Sequence, residues 1–391
     1  MHVLILGTRG VPSRHSGFET FAEDFSLFLK SRGHEVTVYC QTDAKEEQRT
    51  DLWNGIQRVI IPAPSGPFGT IIFDWSAVRH SSHQNGVVLT LGYNTGVFNF
   101  LYRLRRVPNV MNMDGIEWKR EKWSRIPRLW FWFNEWAGAR AANHLVADHP
   151  EIFKHLCRHT NPDKISMIPY GADAIYSAPV ELVEKYGLQS KFYYLVVARS
   201  EPENSILEIV QAFSAKRRGL PLVVLGSYKP ESNSYHKQVM DAAGSEVKFL
   251  GAIFDREIVH SLRFHAKAYI HGHRVGGTNP SMVESLAAGN AVIAHDNPFT
   301  RWVAGESARF FKGSADLAGI LDLLEQEPAL LGRMREGSRR RHKESFTQEK
   351  VLLEYEQLLL RYSHAGVIER EELVPASRAQ VQSVHGEIAR K

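Results

Sequence analysis

The sequence predicts an α/β protein of two doubly wound, Rossmann-like parallel-sheet units in tandem, and three observations predict it. Short β-branched runs alternate with helical patterns along most of the chain. The alternation comes as two series, separated by the Pro- and Gly-punctuated segment Ile168-Pro169-Tyr170-Gly171-Ala172-Asp173. In both series a strand runs into a glycine-rich loop and then a helix, the arrangement by which open α/β sheets hold ligands at their strands' carboxyl ends.

Strands of the first series are expected at 2–6 (HVLIL), 34–40 (HEVTVYC), 57–61, 87–91, 108–112 and 144–147, with an amphipathic helix over 18–32. The second series contains 193–198 (YYLVVA), 221–225, 246–250, 268–271 and 291–294. Alternation at this spacing implies parallel strands with crossover helices. Residues 348–362 carry leucines and tyrosines at helical spacing, and the last residues read as a helix fragment or a disordered tail. The expected organisation is an N-terminal Rossmann-like domain over 1–173 and a C-terminal Rossmann-like domain over 174–345. A helix over 346–363 returns to the N-terminal domain, a tail covers 364–391, and a cleft between the two domains holds the chemistry.

With 391 residues, 43% of them hydrophobic, the chain can build two cores of ordinary size. The two cysteines, Cys40 and Cys157, are far apart and lack C-x-x-C spacing, which argues against a disulfide scaffold or a zinc module and fits a reducing compartment. No apolar run reaches the ~18 residues of a spanning helix. The N-terminal MHVLILGTRG reads as a first strand and not a signal peptide. A formal charge of +5 suits anionic ligands such as nucleotide diphosphates, and the signatures of nucleic-acid modules are absent from the sequence.

Three segments carry the candidate chemistry. Gly7 to Gly17 (GTRGVPSRHSG) follows the first strand and precedes a helix, with Arg9, Arg14 and His15 crowding the loop; it matches neither G-x-G-x-x-G nor a P-loop. Asn112 to Arg120 (NMDGIEWKR) ends another strand, and there Asp114 either faces a ligand as a base or hydroxyl-positioning group, or is an Asp-Gly turn residue. His271 to Gly289 (HGHRVGGTNPSMVESLAAG) is again strand, loop and helix. Its loop amides can hold phosphate or sugar oxygens, and Glu284 can reach ribose hydroxyls.

These segments, with GHEVTV, IPYGAD, VVARSEPENSILEIVQAF and VKFLGAIFD, resemble the retaining GT-B glycosyltransferase superfamily (glycosyltransferase family 4-like) from Met1 to about Tyr362. The wording GTRGVPSRHSGFET, DGIEWKREKW and HGHRVGGTNPSMVES is most similar to a bacterial rhamnosyltransferase-like subgroup of polysaccharide assembly. The resemblance implies transfer of L-rhamnose from dTDP-L-rhamnose, with retention, to a polyprenyl-diphosphate-linked glycan of a capsule, O-antigen or exopolysaccharide. It implies no cofactor and no metal. By the same resemblance Glu284 matches the second glutamate of an E-x7-E signature that holds the ribose, and Gly276 stands where the first glutamate is expected. Arg199 matches the diphosphate-neutralising arginine, Asn204 replaces its lysine partner, and Asp114 stands where relatives place a histidine near the anomeric carbon.

The expected catalytic residues are Asp114, Arg199 and Glu284. Gly10, Asn204, His271, His273, Gly276, Gly277, Thr278 and Asn279 join Arg199 and Glu284 around the donor, and Arg14, His15, Gly17, Glu117 and Trp118 are expected at the acceptor. Alternatives are a hexose from a UDP or GDP donor, or an inactive scaffold of an assembly complex, the latter motivated by the glutamate and lysine that are replaced. A GT-B epimerase or phosphorylase shares the fold. Residues 117–137 hold five of the eight tryptophans beside Lys119, Arg120, Lys122 and Arg125, a pairing that suits the headgroup region of a membrane. Packing in a core is the other reading of these aromatics, and it is the one expected for Phe131 and Phe133. The expected place is the cytoplasm, peripheral on the inner face of the cytoplasmic membrane.

Overall fold

The computed structural model describes residues 1–13, 17–120 and 122–364. The candidates Arg14 and His15 and residues 365–391 of the expected tail lie outside them, while His364, expected to open the tail, ends the last helix. The described residues form two compact units, one of Met1–Pro169 with 352–364, the other of Tyr170–Val351.

The first unit holds β1 (His2–Leu6), β2 (Glu35–Thr42), β3 (Arg49–Trp53), β4 (Ile56–Pro62), β5 (Val87–Leu91), β6 (Asn109–Asn112), β7 (His144–Ala147) and β8 (Ile165–Met167). They form one sheet in the order β3-β4-β2-β1-β5-β6-β7-β8. Strand β3 pairs antiparallel with β4, and the other pairs are parallel. The expected all-parallel sheet is corrected at this edge. Asn54 and Gly55 join β3 to β4 with φ of 49° and 75°, the two positive values a type I′ hairpin turn demands. That Asn-Gly signal is visible in the sequence. Cys40 and Cys157 are both free.

The second unit holds β9 (Tyr194–Val197), β10 (Leu222–Leu225), β11 (Val247–Gly251), β12 (Ala268–His271), β13 (Val292–His295) and β14 (Arg309–Phe311). Their order is β11-β10-β9-β12-β13-β14, all parallel. A parallel sheet is covered on both faces, and its strands read as continuous apolar runs for that reason. Tyr194 and Val196 pack into one core with Ile206, Val210 and Phe213, and Tyr193 and Leu195 into another with Leu262 and Tyr269.

Each unit reverses its strand order beside its first strand, between β1 and β5 in one and between β9 and β12 in the other. Carboxyl ends at such a reversal are not both roofed by crossover connections, and this is where α/β sheets bind ligands.

The Gln348–His364 helix belongs to the first unit from Leu352 onward. Its Tyr355 ring packs 4.7 Å from Phe21 and 5.7 Å from Phe25. Glu356 accepts from Arg32 Nε at 2.7 Å and from His34 Nε2 at 2.8 Å, and those donors hold its carboxyl below the usual range despite burial.

Burial in the Pro67–Ser81 helix pushes the Asp74 carboxyl up to about 7, although Thr95 Oγ1 donates to it at 2.8 Å. Below about pH 4 this group is protonated both folded and unfolded; between there and about 7 only the unfolded chain releases the proton, so stability falls as pH rises through that window. Asp74→Asn lacks this penalty. Its stability by denaturant titration is expected to match the parent at pH 4 and to gain on it by roughly 1 kcal/mol per unit up to pH 7.

Candidate active site

The carboxyl ends of β9 and β12 are neighbours. Strand β9 releases Arg199, whose side chain is exposed, and then a short 3-10 turn, Pro202–Asn204. Strand β12 releases the loop 272–279, which enters the Pro280–Ala287 helix. The two segments touch at Gly272, where a Cβ would come within 2.1 Å of the Asn204 carbonyl, so no larger residue fits without moving that backbone.

The helix start is prepared by its sequence. Asn279 is the N-cap and accepts from Ser281 N at 3.0 Å, and Pro280 occupies the first turn without removing a needed donor. Glu284 lies one turn in, and its Oε2 receives Arg263 Nη2 at 2.7 Å. Arg263 is almost fully buried, and the same nitrogen also donates to Ser281 Oγ at 2.9 Å. Ser281 Oγ is 2.8 Å from Tyr269 Oη on β12 and donates to the carbonyl of Val197 on β9 at 3.2 Å. A carboxylate held this way keeps one oxygen committed to the protein and leaves its other for a ligand. Glu284 remains partly exposed.

Several candidates have structural duties that the sequence does not reveal. Asn204 is buried and donates to the Arg199 carbonyl at 2.8 Å, so it braces the arginine's backbone where a diphosphate contact was expected. His271 is buried, stacked on His273 with ring centroids 4.2 Å apart, and kept neutral by burial and by the neighbouring His273. It backs His273, which is only partly covered. Both line a small pocket with Gly277, Asn279, Met282 and Thr300. Thr278 is buried, while Gly276 and Gly277 are partly exposed. Arg274, in the same loop, donates to Ser205 Oγ at 2.9 Å and pairs with Glu208.

In the first unit Gly10 follows β1 with φ 110°, and a Cβ there would strike Cys40. Gly17 opens the Gly17–Ser31 helix. Asp114 follows β6 and is exposed, with φ 51°, a left-handed conformation that costs a non-glycine residue free energy. The conformation is held locally. Asp114 N donates to Asn112 Oδ1 at 2.8 Å, and Asn112 Nδ2 donates to Tyr355 Oη at 2.7 Å. Tyr93 Oη braces the next residues, donating to the Gly115 carbonyl at 3.0 Å and accepting from Glu117 N at 2.7 Å.

Glu117 and Trp118, expected at the acceptor, are committed elsewhere. Glu117 takes Arg120 Nε at 3.0 Å, Lys122 Nζ at 3.1 Å and Trp123 Nε1 at 2.9 Å. Trp118 Nε1 donates to buried Glu135 at 3.0 Å. Phe131 is half-buried beside Trp123, but Phe133 is exposed, which corrects the core placement expected for it. The groups that the sequence reading missed are Arg263, Ser281 and Tyr355. Arg263 reads in sequence as an ordinary charged helix residue, and only the fold buries it.

Residues 181–341 match the family described as glycosyl transferases group 1. The chain is a glycosyltransferase of the GT-B fold. Residues 1–173 of this glycosyltransferase match a domain of unknown function, DUF1972. No curated protein matches it by sequence. Among solved structures, sucrose-phosphate synthase (tll1590) from Thermosynechococcus elongatus is similar with a TM-score of 0.77 and 16% identity, covering 93% of this chain and 99% of that one. Anabaena HepE (Alr3699) in complex with UDP-glucose follows with a TM-score of 0.71 and 15% identity over 92% of this chain and 100% of its own. An E. coli protein described as trehalose-6-phosphate bound with UDP-2-fluoro glucose has a TM-score of 0.70 and 11% identity, over 95% and 100%. At such identities the likeness shows the fold.

Glu284→Gln keeps the shape but strips buried Arg263 of its counter-charge. The variant is expected to lose roughly 1–3 kcal/mol of stability by thermal or denaturant unfolding. Arg199→Ala, at an exposed position, is expected to leave stability within about 0.5 kcal/mol of the parent.

Proposed function

We propose that this glycosyltransferase moves L-rhamnose from dTDP-L-rhamnose, with retention, onto a polyprenyl-diphosphate-linked glycan in capsule, O-antigen or exopolysaccharide synthesis. The observation that carries the nucleotide-sugar part is the β9/β12 reversal, where exposed Arg199, the loop amides and the anchored Glu284 lie together on one sheet edge. HepE and the E. coli protein, each described in complex with a UDP-sugar, support the donor class. The rhamnose, the retention and the acceptor rest on the sequence resemblance.

In the proposed reaction Glu284 accepts from the donor's ribose hydroxyl, and Arg199 with the amides of Gly276 and Gly277 neutralises the diphosphate. The helix N-terminus at Pro280 adds a favourable dipole. The acceptor oxygen attacks the anomeric carbon on the face from which the diphosphate departs, the bond from that carbon to the diphosphate oxygen breaks, and the acceptor's proton passes to the leaving diphosphate. No protein nucleophile and no metal at the sugar is needed. Charge stabilisation on the leaving group carries most of the acceleration, and Asp114 is assigned to the oxocarbenium-like charge on the sugar.

A hexose from a UDP donor is the second reading, favoured by the UDP-sugars of the solved neighbours. Incubation with dTDP-rhamnose, UDP-hexoses and GDP-hexoses, read by release of nucleoside diphosphate, separates the two. Binding of no nucleotide by calorimetry would leave only the scaffold. Arg199→Ala is expected to weaken donor use more than tenfold, on the order of 1–3 kcal/mol. Asp114→Asn retains the left-handed backbone and is expected to lower turnover more than donor affinity.

The acceptor's lipid calls for a membrane surface. The Arg125–Ala141 helix exposes Ile126, Leu129, Trp132 and Phe133 beside Arg125 and Arg128, an apolar and cationic face that suits anionic headgroups on the cytoplasmic side. Among the described residues no helix is long and apolar enough to cross a membrane. Sedimentation with phosphatidylglycerol vesicles is expected for the parent chain and is expected to weaken at high salt. Leu129→Asp with Ile126→Asp is expected to abolish it, and equal sedimentation of the variant would refute the surface.

A further inference from the structure

Glu135, His155 and His159 do nothing in the proposed reaction, yet they converge on one point. Glu135 comes from the Arg125–Ala141 helix, His155 from the Pro150–Leu156 helix, and His159 from the turn after it. Glu135 Oε1 lies 2.7 Å from His155 Nε2 and 3.4 Å from His159 Nε2, and one ligand atom from each residue lies within 4.8 Å of the others. The side chains of Glu135 and His155 are buried, and that of His159 is about one-fifth exposed.

We propose that these three residues bind one zinc ion. Two imidazole nitrogens and a carboxylate oxygen are a zinc donor set, with water in the fourth position. Zinc bonds of about 2.0–2.2 Å in a tetrahedron put ligand atoms about 3.3 Å apart. His159 already stands at that separation from Glu135, and His155 has to open by roughly half an ångström to reach it. In the metal-free arrangement His155 Nε2 hydrogen-bonds that carboxylate oxygen at 2.7 Å, and His159 Nε2 stands 3.4 Å from the same atom. A zinc ion takes the lone pairs of both nitrogens together with one of that carboxylate oxygen.

The surrounding shell is that of a metal ligand. Trp118 Nε1 donates to the second oxygen, Glu135 Oε2, at 3.0 Å and fixes the carboxylate's orientation as outer-shell donors do. Ferrous iron on the same donor set wants an octahedral site with several open positions. Here burial of Glu135 and His155 leaves access from the His159 side. The ion fastens the turn carrying Trp118 to both helices, and the proposal is independent of which sugar is transferred.

The test uses the full chain, stripped with a chelator, dialysed and reconstituted with zinc. Expected are one zinc per chain by inductively coupled plasma mass spectrometry, a raised melting temperature, and a change in tryptophan emission that His159→Ala removes. Because His159 is partly exposed, its replacement leaves the fold intact, whereas Glu135→Gln serves as a second variant if circular dichroism shows it folded. A parent chain that retains no zinc, a His159→Ala variant that retains as much as the parent, or a preference for ferrous ion over zinc in anaerobic competition overturns the assignment.

Discussion

Burying a guanidinium is tolerable only where its charge is answered, and Arg263 meets that condition with residues of the candidate site, although its Nε has no hydrogen-bond partner among the described residues. Its nitrogen meets Glu284 and Ser281 together, and Ser281 in turn joins the Tyr269 hydroxyl to the end of β9. The Pro280–Ala287 helix is thereby tied to both strands flanking the sheet reversal. Displacing it strips a buried guanidinium of its counter-charge as well as breaking apolar packing, so the loop amides and Glu284 keep a fixed relation to β9 and β12.

The same economy appears at Asp114. Its left-handed backbone is sustained by Asn112, and Asn112 by Tyr355, a residue 243 positions away in the sequence. Backbone strain persists only when its surroundings over-determine it. Here two hydrogen bonds and the Tyr93 brace do so.

Most of the fold is legible in the sequence because parallel strands buried on both faces read as uninterrupted apolar runs. Strands β5, β7 and β12 have the limits that the runs at 87–91, 144–147 and 268–271 imply. Strand β3 escapes because Arg49-Thr50-Asp51-Leu52-Trp53 lies on an exposed edge and has no such run, although the Asn-Gly turn after it was readable. At the site, glycine loops and strand ends mark where ligands go, but they cannot say which side chains are spent on structure. Asn204, Glu117 and Trp118 look available in one dimension and are occupied in three. The His155/His159 pair carries the spacing of two residues on one helical face, a signal overlooked because its carboxylate partner is twenty residues upstream.

The second unit is inserted within the first, whose closing segment begins only at Leu352. A chain leaving the ribosome therefore completes Tyr170–Val351 before it can complete the unit that started earlier. Until residues 355 and 356 emerge, Phe21 and Phe25 lack the ring that covers them, Arg32 and His34 lack their carboxylate, and Asn112 has no hydroxyl to hold it. The order of synthesis thus delays assembly of the Asp114 turn until Tyr355 has been made, and a nascent chain arrested just before that residue carries a nearly finished second unit and an unfinished first.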